Sequence, residues 1–190
     1  FAAHWTEGYA DMIQKGIGGK VVRFHVLANS DSEADQTLKL AVRDRVLQEY
    51  GDLLETCTSK EETLAALKNA QQEISETAEA EVLAQGYAYP VRVSLVREEF
   101  PFKKYGDLIF PAGVYDALRI EIGEAKGKNW WCVLYPQMCY VDAAWGYSTE
   151  ESHVRLQNTL TKEEFLVVSA MEQKKVTPKI KCRLVELWSE

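Results

Sequence analysis

The sequence predicts an α+β fold: a largely antiparallel or mixed sheet of about five to six strands, carrying two long helices and a short C-terminal helix. Three observations lead there. Helical and strand patterns come in runs instead of alternating, which disfavours a parallel βαβ architecture. Between residues 30 and 86 apolar side chains recur at helical spacing. Over 20–28, 90–96 and 118–122 they alternate with polar ones at the two-residue period of a strand.

In chain order, residues 1–19 read as a flexible tail. His4 and Trp5 lack a periodic partner there, and Gly16-Ile17-Gly18-Gly19 forms a joint. An export or anchor segment removed upstream of Phe1 is the expectation, with a trimmed start as the other reading. Residues 20–190 read as one globular domain. Lys20 to Ala28 is a strand in which Val22, Phe24 and Val26 alternate with Arg23 and His25, and this puts His25 on the polar face. Ser30 with Glu33 fits a capping box and opens a long helix. Its stripe is Leu38, Ala41, Val42, Val46, Tyr50 and Leu53, with Gly51 as a candidate break. Ser59 or Thr58 caps a second helix ahead of Glu61 and Glu62. Its stripe runs Leu64, Leu67, Ile74, Ala78 and Val82, and Gly86 ends it.

Pro90 to Val96 is the next strand. Leu108–Phe110 and Val114–Ile122 are expected to form a hairpin around Pro111-Ala112-Gly113. The stretch 143–158 is polar and reads as irregular. Thr161 with Glu164 is another capping box, opening a short helix through Met171. Ile180, Cys182 and Leu184 make a last strand opposite Lys181 and Arg183.

Composition narrows the function classes. A net charge of −7 over 190 residues argues against nucleic acid, whose binding rests on Lys and Arg contacts to phosphate. It equally disfavours an anionic membrane surface. No apolar run approaches the ~18 residues that span a bilayer.

Gly127 to Asp142 is the most distinctive stretch, holding two of the five tryptophans and two of the four cysteines. Trp130, Trp131 and Val133 favour a strand, as do Tyr140 and Val141. Cys132 and Cys139 can pair only if the chain doubles back, and Tyr135-Pro136 provides for that through a wide loop or a cis-proline turn. Two readings stay open: a buried hairpin with free thiols, or a hairpin closed by a disulfide. Pairing of Cys57 with Cys182 is a further arrangement.

Catalytic and ligand motifs fail one after another. Gly123-Glu124-Ala125-Lys126-Gly127-Lys128-Asn129 lacks the spacing and the Ser or Thr of a phosphate loop. Asn29, Asp31 and Glu33 begin like a calcium loop, but Ala34 and Leu40 stand where its Gly and Glu belong. His4, His25 and His153 have no metal-ligand spacing. Asp31 and Asp35 share a helix face and could serve as paired carboxylates, although two acids in a first turn also suit the helix dipole. No metal and no cofactor is expected.

Two blocks point further. The first is Arg23-Phe24-His25-Val26-Leu27-Ala28-Asn29-Ser30-Asp31-Ser32, with Asp35-Gln36, Leu38-Lys39 and Val42-Arg43-Asp44. The second is Phe100-Pro101-x-Lys103-x-Tyr105-Gly106, Pro111-Ala112-Gly113-x-Tyr115-x-Ala117-Leu118 and Asn129-Trp130-Trp131-Cys132-Val133-Leu134. In this order and spacing, over roughly residues 20–142, the chain resembles the stage II sporulation protein R family. One departure lies at the hairpin tip, where the family often has Pro-Pro-Leu-Cys and this chain has Pro136-Gln137-Met138-Cys139.

The resemblance implies a signalling protein exported from the forespore into the space between the two sporulation membranes. Its implied partner there is a membrane-embedded aspartic protease of the mother cell, which processes the precursor of sigma factor E. On that reading the domain is not an enzyme and takes no small-molecule substrate. Its cysteines meet an oxidising compartment, where a Cys132–Cys139 disulfide is expected. Candidate partner-binding residues are Trp130, Trp131 and Tyr140, aromatic types enriched at hot spots, with Asn29 and Asp31. Alternation puts the two tryptophans on opposite faces, one toward the core and one exposed. The rival readings are a secreted hydrolase using Asp31, Asp35 or Asp142, and a cell-wall ligand binder stacking Trp130 or Trp131 on sugar.

Overall fold

A computed structural model describes residues 2–139 and 150–170. The chain opens with helix α1 (Ala2–Lys20), so the expected tail is replaced by a helix whose Ile13 and Ile17 are buried. Its glycines mislead a propensity argument, each weakening a helix by about 1 kcal/mol relative to Ala. Two of the four are needed for close approach. A Cβ at Gly16 would strike the Glu164 carboxylate, and one at Gly18 would strike the Val114 carbonyl oxygen. Lys60 then donates to the Gly18 carbonyl at 2.7 Å while pairing with Asp116 at 2.6 Å, pinning the end of α1.

Strand β1 (Val22–Leu27) leads into α2 (Glu33–Glu55) and α3 (Lys60–Ala84). The α2 cap is Ser32, not Ser30: its hydroxyl accepts from the Asp35 N–H at 3.1 Å, while Ser30 donates to the Asp35 carboxylate. Gly51 does not break α2, and Leu54 replaces Leu53 on the buried stripe. Ser59 caps α3, and the Glu62 carboxylate returns to accept from the Thr58 N–H at 2.7 Å. Gly86, at φ +84°, follows the helix in the left-handed region, where glycine meets no steric penalty.

Five further strands follow: β2 (Val91–Phe100), β3 (Lys103–Tyr105), β4 (Leu108–Phe110), β5 (Gly113–Ile122) and β6 (Asn129–Tyr135). The main sheet has the order β2-β5-β1-β6, with β1 parallel to β5 and the other pairs antiparallel. This is the mixed sheet of an α+β fold. The hairpin expected around Pro111-Ala112-Gly113 is not the pairing that forms. β5 runs along β2 from Val91↔Ile122 to Phe100↔Gly113, and β4 pairs with β3. A ten-residue ladder supplies more cross-strand contacts than a three-residue strand could offer β5.

Helix α4 (Glu150–Thr159) occupies part of the stretch expected to be irregular, held by buried Leu156. Helix α5 (Lys162–Ala170) starts at the expected box: Glu164 N–H donates to Thr161 Oγ1 at 3.3 Å, and Thr161 N–H donates to Glu164 Oε2 at 2.7 Å. Met171 and the strand expected at Ile180–Leu184 lie outside the described residues.

Two cores flank the sheet. On one face Val22, Phe24 and Val26 meet the stripes of α2 and α3. On the other, Ile13 and Ile17 of α1, Phe110 of β4, Leu156 of α4 and Val168 of α5 close over Tyr115, Ala117 and Val133.

Candidate functional site

Strand β6 ends the sheet among the described residues, and its tryptophans point to opposite faces as alternation requires. Neither is simply core or simply exposed. Trp130 packs edge-on to Phe24, with centroids 5.6 Å apart, and the Arg43 guanidinium lies 4.8 Å from its ring. Trp131 stacks on His25 at 5.0 Å and 14°, meets Phe100 edge-on, and has Lys103 Nζ 4.9 Å from its ring. Both rings are half-buried, each covered by a cation of the same chain.

His25 is not on a wet face. It is 3 % exposed and sits in one cross-sheet row, Ser94–Arg119–His25–Trp131. Burial, then the charges of Arg119 and Arg23, push its pKa down to about 4. Glu98 Oε1 lies 2.7 Å from Nε2 without meeting hydrogen-bond geometry, and its other oxygen is taken by Arg119 at 3.1 Å. The imidazole is therefore neutral at pH 7.

One strand step away, Arg23 is fully buried. Its Nε donates to the Cys132 carbonyl at 3.2 Å and its Nη2 to the Tyr105 hydroxyl at 2.8 Å. The rings of Phe100, Tyr105, Phe110 and Tyr115 surround the guanidinium at 4.9–5.7 Å from their centroids. Sequence reading missed this cage, because an Arg alternating with apolar residues looks solvent-facing.

Asn29 and Asp31 form a junction between two loops. Asn29 Oδ1 accepts from the Glu124 N–H at 2.9 Å, and Asp31 Oδ1 accepts from the Lys128 N–H at 2.6 Å. The N–H groups of Lys126 and Gly127 return to the carbonyls of Asn29 and Ala28. Asp35 accepts from Ser30 at 2.5 Å and Asn29 at 2.9 Å, and these bonds hold its pKa below the usual carboxylate value. The residues between strands that resembled a phosphate loop are the other half of this junction. Tyr140 and Asp142 lie outside the described residues, as does the second flank of the expected hairpin. Among the described residues, no group of three or more His, Cys, Asp or Glu is placed to hold a metal ion. No helix there is long and apolar enough to cross a membrane.

The tip after β6 brings Cys132 and Cys139 together as a disulfide, with Cα atoms 5.6 Å apart and a cis peptide at Tyr135–Pro136. Three elements hold this tip. Tyr135 donates to the Thr58 carbonyl at 2.6 Å, Gln137 Nε2 to the Gly51 carbonyl at 3.1 Å, and Arg155 Nη1 to Gln137 Oε1 at 3.2 Å. Between them lies a cleft of about 180 Å³. Leu54, Cys57, Tyr135 and Pro136 form its apolar part, with Glu55, Arg155 and Asn158 among its polar lining. Cys57 is a half-exposed free thiol. The cleft was not legible in the sequence, since its walls come from three separate segments, at 54–57, 135–137 and 155–159, that carry no shared spacing.

The two blocks that carried the resemblance thus converge on β1, the loop junction, the Arg23 cage and the disulfide tip. Comparison with known proteins agrees. The family described as stage II sporulation protein R matches residues 18–145. Stage II sporulation protein R of Bacillus subtilis (strain 168) is 32% identical over 184 residues, covering 92% of this chain and 82% of that protein. No solved structure matches. The chain belongs to the stage II sporulation protein R family.

Proposed function

We propose that the protein is an exported sporulation signal. It binds the outward face of a membrane-embedded aspartic protease of the mother cell, which then processes the precursor of sigma factor E. Membership of the stage II sporulation protein R family carries this reading. The Cys132–Cys139 disulfide supports it, since such bonds persist in an oxidising space of the kind between the two sporulation membranes. The domain acts by binding and not by catalysis. A general base must be free to reach a substrate proton, whereas Asp31 and Asp35 are engaged as acceptors inside the loop junction. A sugar-stacking role for Trp130 or Trp131 would first require Arg43 or Lys103 to leave the ring.

Reconstitution tests the proposal. Purified protein, protease in lipid vesicles and sigma precursor are combined, and cleavage is scored on a gel. Cleavage is expected only with all three present, and is lost when the catalytic aspartates of the protease are replaced. Cleavage that survives that replacement would assign the chemistry to this chain and overturn the reading, as would a processing rate independent of this protein.

A further inference from the structure

We infer that the cleft at the disulfide tip is a docking pocket for one apolar side chain of a protein partner that carries a Lys or Arg beside it. The inference deepens the proposed function and rests on it for the partner's identity, though not for the pocket's chemistry.

Size argues for an anchor rather than a metabolite. Small-molecule sites run to about 300–1,000 Å³, whereas interface hot spots are single side chains seated in desolvated pockets. A cleft of about 180 Å³ belongs with the second class. Its walls are already built. The tip is tied by the disulfide and by bonds to Thr58, Gly51 and Arg155, so little ordering entropy remains to be lost on binding.

Charge selects the neighbour of that anchor. Among the described residues Arg155 is the one cation in the lining, and Glu151 neutralises it at 2.7 Å. Glu55 lines the opposite wall, at the negative C-terminal end of α2. Glu61 and Glu62 add to this field: with burial as the larger cause, their charges help to raise the Tyr135 phenol above its ordinary pKa. Among the described residues, these acids outnumber the single cation, and the surplus complements a cation on a partner.

Two arms decide the matter. In the first, N-acetyl-phenylalanyl-arginine amide and N-acetyl-phenylalanyl-glutamate amide are titrated into the isotope-labelled protein by NMR. The arginine peptide is expected to shift Leu54 and Tyr135 at least fivefold more than the glutamate peptide. Asn158→Trp and Glu55→Trp, which fill the cleft from opposite walls, should abolish the response. No shift at Leu54 or Tyr135, or equal shifts from both peptides, overturns the inference.

In the second arm, co-flotation with protease-bearing vesicles is measured for the same variants and for Glu79→Trp, an exposed change on α3. Both cleft variants are expected to bind at least tenfold more weakly with unchanged melting temperatures, and Glu79→Trp as wild type. Wild-type binding by both filled variants overturns the cleft as the docking point. Arginine-peptide shifts at the cleft without any wild-type binding to the vesicles would uphold the pocket and overturn the proposed protease partner.

Discussion

The two faces of strand β1 are equally buried and built on different physics. Toward α2 and α3 the strand shows Val22, Phe24 and Val26, all at 0 % exposure against aliphatic helix stripes. Toward α1, α4 and α5 it shows Arg23 at 0 % and His25 at 3 %. The first face is held by removing apolar area from water. On the second, four aromatic rings take the place of a counter-charge around Arg23, and Trp131 lies flat on the neutral His25. Among the described residues, buried atoms without a hydrogen-bond partner collect there as well, at Arg23 Nη1, both His25 nitrogens, Ser94 Oγ and Arg119 Nε. Polar residues can thus be buried as deeply as apolar ones, while leaving desolvated atoms behind.

Paired substitutions on β1 separate the two faces by the widest margin. Phe24→Ala should cost about 3–5 kcal/mol in urea unfolding, because it leaves a cavity in a closed apolar layer. Arg23→Met should cost only about 1–2 kcal/mol. It strands the Tyr105 hydroxyl and the Cys132 carbonyl, but it also removes a buried charge that has no carboxylate partner among the described residues. Equal losses at the two positions would mean that the faces are not different in kind.

A pH titration probes the second face alone. His25 has a folded pKa of about 4 against an ordinary 6.5, so between these values the unfolded chain binds the extra proton. Stability should therefore rise with pH through this window, by up to about 3 kcal/mol, and be flat in this respect above 6.5. His25→Phe should remove that slope; a variant that keeps it would assign the proton elsewhere. Asp35 acts in the same direction at lower pH. Its carboxylate is favoured by folding, so its contribution is present above 3.8 and lost as pH falls through the lower folded value.

The disulfide belongs to the first face, since Cys132 and Cys139 both pack in the α2–α3 core. Replacing both by Ala should cost about 2–3 kcal/mol, the entropy expected for so short a loop. Peptide mapping of protein from an oxidising compartment should find the pair linked, and free thiols at both positions would contradict the structure. The smallest effect is on the second face. Thr161→Ala should cost about 1 kcal/mol by removing one half of the α5 box. An unchanged melting temperature would mean that Glu164, which also pairs with Lys20 at 2.6 Å, holds that helix end by itself.

Local signals carried most of the element list. Ser59 with Glu62, Thr161 with Glu164, Gly86, and the alternation of Leu118, Ile120 and Ile122 each act within a few residues, so their structural meaning is fixed before the chain folds. The family blocks were likewise legible, because they are strings of particular residues.

What the sequence could not settle by itself was decided between distant segments. Whether β5 takes β2 or β4 depends on comparing ladders across an open choice of partners. Helix α1 exists despite Gly16 and Gly18 because Glu164 and Val114 come close enough to need them. Arg23 and His25 look wet in a two-residue period, since alternation reports chemistry on each face and says nothing of what covers it. Only the packing of β3, β4, α1, α4 and α5 turned that polar face into an interior. The cleft arises the same way, as a gap left where the ends of α2 and α4 meet the disulfide tip, and no segment contains it alone.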